Sequence, residues 1–480
     1  MIEAKRVFDE EEFTERPRFL YAELRGLLGE FNHRVELPNG QEMVILYGPN
    51  GVGKTHVLEF IHHALRGDWF RLQDMPFDSA EIGYDDGRAL RFRFELTDRG
   101  VESDSPRRRA LVSNAAPPLL VTLETDEATH VWQGPLRDFS DASPMMIRRV
   151  VERELGYRRV EPDMYLQPAS DKRLSFAEVV SAESKNIHKF LSSRYLDASA
   201  DLQTVIPDAM QDYIDEDSSI LVETQRLIMT QAGTPTTRER SSQPLLAIDQ
   251  VSRSVQSLME QALADNSRLS QRLDRTFPSR LFEPDAQVAS SEKEIRQLHQ
   301  DQQDFRSRLA NYHLGGEDES NVELPQRPLE SWEVKVLGRY LQDSARKLES
   351  FHQLLDKLDL FMNTLNSRFF RKRIYLTSER SLAIENTRGD TLTVSDLSSG
   401  EQHELILLKY LLFDTNPGSI VLIDEPEISL HVSWQKAFLE DLSHVSSISS
   451  LRFIIATHSP QIINNSWHLT TPLGGPIDEW

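Results

Sequence analysis

The chain has 480 residues, a formal net charge of −22 and no cysteine. Its length allows about two or three domains, its acidity excludes a general nucleic-acid coat, and the lack of thiols excludes disulfides and thiolate metal sites. There is no apolar run of about 18 residues and no signal-like leader at Met1, so we expect a cytoplasmic protein that does not enter the membrane.

The first part of the chain predicts a β-rich start. Short apolar stretches from Arg18 to Tyr47 alternate with turn residues, and a tight turn is expected at Pro38–Gly40. After a helix that ends near Gly67, strands are predicted at Arg88–Leu96 and Pro118–Thr125. These later strands are expected to form an added antiparallel sheet.

The middle of the chain predicts a helical lobe. From about Ser252 to Phe370 the spacing of apolar residues is helical, with breaks predicted at Phe277–Asp285 and His313–Ser320. The stretch Ser331–Phe370 repeats apolar residues at steps of three and four, which predicts a helical hairpin or a short coiled coil. From Ile374 onward the pattern returns to strands and turns.

A glycine-rich loop, GPNGVGKT, lies between the strand-like EMVILY and an amphipathic helix. In this setting backbone N–H groups face phosphate oxygens, Lys54 reaches the β- and γ-phosphates, and Thr55 can ligate Mg²⁺. A turn that contains Gly-Lys-Thr by chance is the alternative, and the flanking strand and helix disfavour it. The candidate nucleotide-binding residues of the loop are Asn50, Gly51, Gly53, Lys54 and Thr55.

Two short β-branched runs, of the kind buried in parallel sheets, end in polar residues of catalytic type. SIVLIDEPE ends at Asp424, placed to hold Mg²⁺, and Glu425, placed to polarise an attacking water. FIIATHSP puts His458 just past the second run, within reach of a γ-phosphate. Taken singly, the two acids could also form a solvated turn, and the histidine could have a purely structural role. The order of the motifs along the chain decides between these structural interpretations and the catalytic one.

LSSGEQHELILLKYLLF begins with a polar turn and continues as an apolar helix. Ser398 and Glu401 predict a capping box at its start. With this stretch, the motifs follow the order phosphate loop, LSSGEQ, LIDEPE, ATHSP. In that order the chain resembles the ATP-binding-cassette (ABC) ATPases, in which these are the Walker A, signature, Walker B and switch-histidine motifs. The resemblance is carried by Arg18–Trp69 and Leu392–Trp467.

The resemblance implies an α/β fold, in which an ABC-ATPase head with a mixed sheet around the phosphate loop and an antiparallel β subdomain carries an inserted helical or short coiled-coil lobe. ATP and Mg²⁺ are the implied ligands. Two heads of that class close face to face, so Ser398 and Gly400 of one copy would bind the nucleotide held by the other. Ser399 departs from the glycine of many members. The implied catalytic residues are Lys54, Glu425 and His458, and the implied metal ligands are Thr55 and Asp424.

Further features favour a soluble, AAA-family branch similar to the SMC, RecF and overcoming-lysogenisation-defect (OLD) ATPases. Roughly 340 residues separate the phosphate loop from LSSGEQ, and Ser429-Leu430-His431 replaces the transporter-type turn. With LSQRLDRTFPSRL (Leu269–Leu281), LSSGEQHELILL and LIDEPEISLHVSWQ in one chain of this length, the sequence also resembles the ATPase subunits of anti-phage systems such as PARIS and Septu. The implied division is 1–250 and 371–480 for the two parts of the head, and 251–370 for the helical insertion. Some twenty residues follow His458, so a nuclease effector is expected to be a separate protein.

Three functions remain open at this point. The first is a slow, regulatory ATPase of phage defence that forms a head-to-head dimer and controls a separate effector. The second is a repair or chromosome-maintenance ATPase that clamps DNA, and the third is a scaffold that binds ATP with negligible turnover. Net charge does not indicate DNA, and solvated surfaces are the favoured interpretation of the basic clusters. These clusters are Arg107–Arg109, Arg148-Arg149, Arg158-Arg159 and Arg371–Arg373, while Gln167 and Gln203 are equal candidates for a glutamine loop.

Overall fold

A computed structural model describes residues 16–94, 118–126, 128–134, 148, 151–153, 155–161, 164–167, 172–176, 179, 183, 206–223, 245–281, 291–314, 323–379, 381–393, 396–428, 430 and 432–474. The strands are β1 Phe19–Leu27, β2 Phe31–Glu36, β3 Met43–Tyr47, β4 Ser79–Tyr84, β5 Ala89–Phe94, β6 Leu119–Glu124, β7 Thr129–Gln133, β8 Arg158–Glu161, β9 Met164–Leu166, β10 Arg173–Ser175, β11 Ser219–Glu223, β12 Lys372–Leu376, β13 Leu382–Asn386, β14 Thr391–Leu392, β15 Ile420–Asp424, β16 Arg452–Thr457 and β17 Thr470–Pro472. The helices are α1 Lys54–Leu65, α2 Trp69–Leu72, α3 Asp208–Gln211, α4 Leu245–Arg280, α5 Glu292–Ala310, α6 Ser331–Arg368, α7 Ser399–Lys409, α8 Val432–Gln435, α9 Phe438–Ser449 and α10 Pro460–Ile463.

A five-stranded parallel sheet forms the centre of the head. Its order is β11-β15-β16-β3-β17, and every neighbouring pair is parallel. Alternate residues of β3, β15 and β16 enter two separate hydrophobic cores, one on each face. The prediction that SIVLIDEPE and FIIATHSP form strands buried on both faces of a parallel sheet is therefore confirmed, and the two strands are neighbours.

The first face of the sheet is covered by α1 and by an antiparallel sheet of order β2-β1-β4-β5-β6-β7. The buried residues of α1 include Val57, Leu58, Ile61 and Leu65, the apolar stripe of its sequence. Aromatic rings fill the space between α1 and this sheet, with Phe60 packed edge-on against Phe92. The expected antiparallel subdomain is thus present, and the strands predicted around residues 88–96 and 118–125 both belong to it.

The second face packs against the helical lobe. Its long helix α6 pairs with α4, which runs in the opposite direction, and with α5. Asn266 of α4 donates to the carbonyl oxygen of Lys347 (2.6 Å), and Gln302 of α5 donates to that of Leu341 (2.7 Å). The predicted helical lobe is confirmed, and the described residues contain no helix long and apolar enough to cross a bilayer.

Two details of the lobe differ from the sequence prediction. The helical hairpin considered for Ser331–Phe370 is wrong, because this stretch forms one helix up to Arg368 and takes its packing partners from earlier in the chain. The break predicted from Phe277 is also placed too early, since α4 continues through Pro278 to Arg280. The Arg280 guanidinium donates to the carbonyl oxygen of Leu273 (2.8 Å), which ties the last residue of α4 back to the turn before the proline.

Candidate nucleotide-binding and hydrolysis site

The phosphate loop joins the carboxyl end of β3 to the first turn of α1. Gly51 and Gly53 have φ angles of 89° and 90°, which favour glycine. Asn50 and Gly51 are exposed at the tip of the loop, whereas Lys54 is only 5% exposed. The ammonium of Lys54 donates to the carbonyl oxygens of Gly48 and Pro49, both at 2.9 Å. The loop therefore surrounds a positive charge, as a phosphate-binding loop requires.

A buried histidine of the antiparallel sheet supports the loop from behind. His33 Nε2 lies 2.7 Å from the carbonyl oxygen of Val52, and because a carbonyl only accepts, this nitrogen donates. Burial lowers the pKa of His33, despite opposing hydrogen bonds, which favours the neutral ring. The sequence analysis missed this contact, since nothing in the spacing of His33 from the loop indicates it.

Thr55 and Asp424 meet at the carboxyl edge of the parallel sheet. The Thr55 hydroxyl donates to Asp424 Oδ2 at 2.7 Å, although the residues are 369 positions apart. Burial raises the pKa of Asp424, while the bond from Thr55 and the charge of Lys54 lower it. A hydroxyl and a carboxylate are oxygen ligands of the type that Mg²⁺ takes, with water and phosphate completing its shell. The two predicted metal ligands thus lie together and fit that ion.

Glu425 has an unusual backbone conformation directly after β15. Its φ is +48°, and its N–H donates to the carbonyl oxygen of Ala456 on the neighbouring strand at 2.9 Å. Left-handed residues other than glycine are uncommon and concentrate at functional sites. Glu425 Oε1 lies 3.9 Å from His458 Nδ1, so the two predicted catalytic side chains lie next to each other.

A third acid of the same motif, Glu427, lies closer to the histidine. Its Oε1 is 3.1 Å from His458 Nδ1, and the side chain is 8% exposed. Glu427 is not among the site residues that the sequence predicts. The available signal was its place in DEPE, two residues after Glu425, but the contact depends on β15 and β16 being neighbours.

The capping box at the start of α7 is present as predicted. The backbone N–H of Ser398 donates to Glu401 Oε2 at 2.7 Å, and the N–H of Glu401 donates to Ser398 Oγ at 3.3 Å. Lys372 Nζ donates to the same Glu401 oxygen at 2.7 Å. Ser398 and Ser399 are exposed, and Gly400 is half-buried in the first turn. The hydrogen bonds of Ser398 thus stay within this turn of α7, away from the phosphate loop of the same copy.

The signature helix α7 is tied to the lobe by a buried ion pair network. Arg368, the last residue of α6, pairs with Glu404 of α7 and with Asp441 of α9. Burial raises the pKa of Glu404, against the lowering effect of the Arg368 charge. The far end of α7 continues as a π-helical turn over Tyr410–Asp414. Arg368 therefore links the end of α6 to both α7 and α9.

The remaining candidates lie elsewhere. Gln167 follows β9, where its backbone N–H donates to the carbonyl oxygen of Lys172 (3.1 Å). The guanidinium of Arg148 lies 4.5 Å from the ring centre of Phe176, and Arg158 and Arg159 are in β8. Other residues singled out in the sequence fall outside the described parts of the chain. They are Gln203, Arg107–Arg109, Arg149, Ser429 and His431.

Comparison with known families gives the class of ATPase that the site resembles. Residues 257–464 match the family described as "AAA domain, putative AbiEii toxin, Type IV TA system". The matched segment begins after the phosphate loop and includes Ser398, Asp424, Glu425 and His458. It supports a nucleotide-binding ATPase of the AAA type.

One curated protein to which the chain is similar is the "Retron Ec83 probable ATPase" of Escherichia coli, which is 37% identical over 114 residues. The match covers 19% of this chain and 21% of that protein, so the chain spans about a fifth of the length of its curated relative. The similarity between the two proteins is confined to this segment of 114 residues.

Two solved structures of Smc heads also match over most of their length. One is the Smc head domain of Pyrococcus furiosus, with an extended coiled coil and bound to the C-terminal domain of ScpA, at 15% identity and a TM-score of 0.32, covering 94% of this chain and 92% of that chain. The other is an Smc head bound to the C-winged helix domain of ScpA, at 12% identity, a TM-score of 0.33 and the same coverage. Because both TM-scores are low, the fold class is assigned from the strand order and the helices described above.

Proposed function

We propose that the chain is an ABC-type ATPase that works as a switch in prokaryotic phage defence. Two copies bind two molecules of ATP between them, hydrolyse them slowly, and pass the open or closed state through the helical lobe to a separate effector, such as a nuclease or a toxin. The observation that carries this proposal is the contact between Thr55 and Asp424 beside Glu425 and His458.

Each residue of this site has a distinct task in the proposed reaction. The ammonium of Lys54 exchanges its bonds to loop carbonyls for bonds to β- and γ-phosphate oxygens. Mg²⁺, held by Thr55 and Asp424 when bound, neutralises phosphate charge. A water oxygen attacks the γ-phosphorus, the bond from phosphorus to the bridging oxygen breaks, and the Glu425 carboxylate accepts the water proton. His458 contacts the γ-phosphate and the attacking water.

The second half of each site comes from the other copy. The exposed N-terminus of α7 offers backbone N–H groups and a positive dipole end, a suitable site for a γ-phosphate. Because α7 is joined to α6 through Arg368, closing the dimer around ATP would shift the lobe. The lobe is thus the proposed route from nucleotide state to effector.

Replacing Glu425 by Gln tests the enzymatic part of the proposal. The amide cannot accept the water proton, so we expect hydrolysis of Mg-ATP to fall by about 100-fold or more while the dissociation constant for ATP stays within about twofold. Phosphate release and equilibrium binding of a fluorescent ATP analogue measure the two quantities. If the wild-type chain binds ATP and the rate is equally negligible in both proteins, the chain is an ATP-dependent scaffold instead.

The defence setting is supported by the retron name of the curated relative and by the toxin–antitoxin description of the family model. A phage challenge of cells that carry this gene with its genomic neighbours tests it. We expect protection in the wild type and loss of protection with Glu425→Gln. Equal plaque counts with and without the genes, across a broad phage panel, would remove this setting and leave the ATPase assignment standing.

A DNA-clamping ATPase is the second candidate, and one surface favours it. Phe370 is 77% exposed, and the Arg371 guanidinium lies 5.1 Å from its ring centre. Arg371, Arg373 and Arg388 line one shallow cavity of about 510 Å³ with a single carboxylate, Glu385. Arginines beside an exposed ring suit a phosphate backbone with stacked bases, and here they belong to a chain whose net charge is −22.

Salt dependence separates this candidate from the first. If the surface binds DNA, affinity measured by fluorescence anisotropy should fall steeply with salt, and the double change Arg371→Glu and Arg373→Glu should flatten that dependence. Replacing Arg25 and Arg34 by Glu, on the antiparallel sheet, is the charge-matched control. No binding of single- or double-stranded DNA at low salt, with or without ATP, would rule the clamp out.

A further inference from the structure

Glu427 is a buried carboxylate that faces the histidine of the site. It lies in the short 3₁₀ turn Pro426–Ile428 that follows β15. Its Oε1 accepts hydrogen bonds from the Thr457 hydroxyl at 2.8 Å and from the backbone N–H of His458 at 3.0 Å. The His458 ring nitrogen Nδ1 lies 3.1 Å from the same oxygen. Three groups of the β16 end thus converge on one carboxylate oxygen.

The second oxygen of this carboxylate carries further information. Glu427 Oε2 is buried and has no hydrogen-bond partner within the described parts of the chain. Buried acceptors in folded proteins usually have a donor, so this oxygen can accept a further hydrogen bond. The His458 side chain is 45% exposed, and its Nδ1 lies 3.1 Å from Oε1 of the same carboxylate.

Glu425 is less suited to orient this ring. Its Oε1 lies 3.9 Å from Nδ1, beyond hydrogen-bond length, and its side chain is 29% exposed. Glu427 is nearer to the ring, more enclosed, and fixed by two hydrogen bonds from β16. The two acids therefore have separate relations to His458, with Glu425 open to an attacking water and Glu427 behind the ring.

We propose that Glu427 is the positioning residue of His458. It holds the proton on Nδ1 and leaves Nε2 as the acceptor for one O–H of the attacking water, whose other proton passes to Glu425. A carboxylate only accepts, so a ring nitrogen that bonds to it must carry hydrogen. This assignment rests on the proposed ATPase function for its catalytic consequence, but the state of the ring is a property of the free protein.

The kinetic test is a double-mutant cycle. Glu427→Gln keeps the shape and an oxygen for Thr457 and the backbone N–H, but removes the charge and allows either ring nitrogen to be protonated. We expect a fall in kcat of about 10-fold or more with the KM for ATP within about twofold, and almost no further fall when the change is made in a His458→Gln background. Glu333→Gln, in the lobe, is the control for loss of an equally enclosed carboxylate.

Two results would overturn the proposal. One is an equal loss of kcat from Glu427→Gln in the presence and absence of His458, which would mark a general structural effect. The other comes from ¹⁵N-histidine NMR of the full chain, in which the His458 signals are assigned by their loss in His458→Gln. We expect Nδ1–H in the wild type and a mixture of tautomers in Glu427→Gln. The same tautomer in both proteins contradicts the proposal, even if the chain hydrolyses no ATP.

Discussion

At the scale of single residues, two glycines of the phosphate loop share a φ angle but differ in their surroundings. A methyl group on Gly53 would lie 2.6 Å from Leu27 Cδ2, whereas one on Gly51 would meet nothing within 4 Å. Both positions are left-handed, which costs a non-glycine residue about 1–2 kcal/mol. The contact with Leu27, in a close-packed core, adds about 1–3 kcal/mol at Gly53 alone.

Gly53→Ala and Gly51→Ala therefore form a matched pair. We expect Gly53→Ala to lower the free energy of unfolding by about 2–5 kcal/mol and to weaken ATP binding strongly, because the loop must shift away from Leu27. Gly51→Ala is expected to cost about 1–2 kcal/mol. Urea denaturation and nucleotide binding measure both effects, and equal losses for the two variants would contradict the packing argument.

At the scale of elements, one buried guanidinium adds an ion-pair network to the apolar packing between α6 and α7. The Arg368 side chain is 9% exposed and serves both Glu404 and Asp441. Removing it leaves two enclosed carboxylates without their cation, so we expect Arg368→Met to destabilise the fold by about 3–5 kcal/mol. Arg308 is half-exposed and pairs with Asp356 and Asp359 inside the lobe. Changing it to Met should lower the free energy of unfolding by no more than about 1 kcal/mol.

Arg368→Met also tests whether the nucleotide state of the head is passed to the helical lobe. In conditions where Arg368→Met is still folded, the nucleotide-dependent protease sensitivity of the lobe should be lost, while ATP binding at the phosphate loop persists. Limited proteolysis with and without a slowly hydrolysed ATP analogue measures this. Retention of the full nucleotide response would show that the lobe is linked to the head by another route.

A second element, α1, makes stability depend on pH. Burial lowers the pKa values of His62 and His63 from 6.5 to about 4, with positive neighbours as a further cause. Between these values the unfolded chain binds protons that the folded chain does not, so stability is lost as the pH falls from about 6.5 towards 4. Each histidine contributes up to about 3 kcal/mol to this loss.

We expect the double change His62→Gln and His63→Gln to flatten the dependence of the unfolding free energy on pH over this window. His444, exposed on α9, provides the control for removal of an ordinary histidine. Urea denaturation at intervals between pH 4 and 7 gives the slopes. If the double variant and His444→Gln keep the same slope as the wild type, other groups are responsible for acid sensitivity.

At the scale of the whole molecule, the composite site makes a prediction about mixed dimers. A Lys54→Ala chain and a Ser398→Arg chain should each be inactive alone, because every site in either dimer has a defect. When the two are mixed in equal amounts, about half of the dimers contain one copy of each, and one of their two sites is intact. We therefore expect recovery of about a quarter of the wild-type rate.

Ser291→Arg is the control for this experiment, since Ser291 caps α5 in the lobe as Ser398 caps α7. The Ser291→Arg chain alone should still hydrolyse ATP. When it is mixed with the Lys54→Ala chain, the rate should not exceed the sum of the rates of the two separate proteins. Sedimentation with ATP and the Glu425→Gln chain measures the dimer directly. A monomer under these conditions, with no recovery of activity on mixing, would exclude the shared site.

The features that the sequence predicted correctly depend mostly on interactions between residues that are close along the chain. The phosphate loop, the apolar stripe of α1 and the capping box of Ser398 depend on neighbours within about one helical turn, and they are present as predicted. Thr55 and Asp424 were placed together through the known order of the motifs. The role of Glu427, the support from His33 and the network of Arg368 depend on contacts across elements, which residue spacing does not encode.

The packing partners within the helical lobe also could not be predicted from residue spacing. Apolar spacing over Ser331–Phe370 specified a helix but not its partners, because the same stripe can pack on itself or on another helix. Gly338 alone does not interrupt the helix, and the partners α4 and α5 lie earlier in the chain. The roles assigned to Lys54, Glu425, His458 and the partner-facing Ser398 stay predictions that the experiments above address.

The position of β3 has a consequence for how the protein is made. This strand, which ends at residue 47, is flanked by β16 and β17, and neither exists until the ribosome has passed residue 452. At about 5–20 residues per second, the nascent phosphate loop waits roughly 20–80 seconds for its neighbours. An interrupted translation product therefore carries the nucleotide motif without the parallel strands that flank β3. Only copies translated past this late strand can acquire the site.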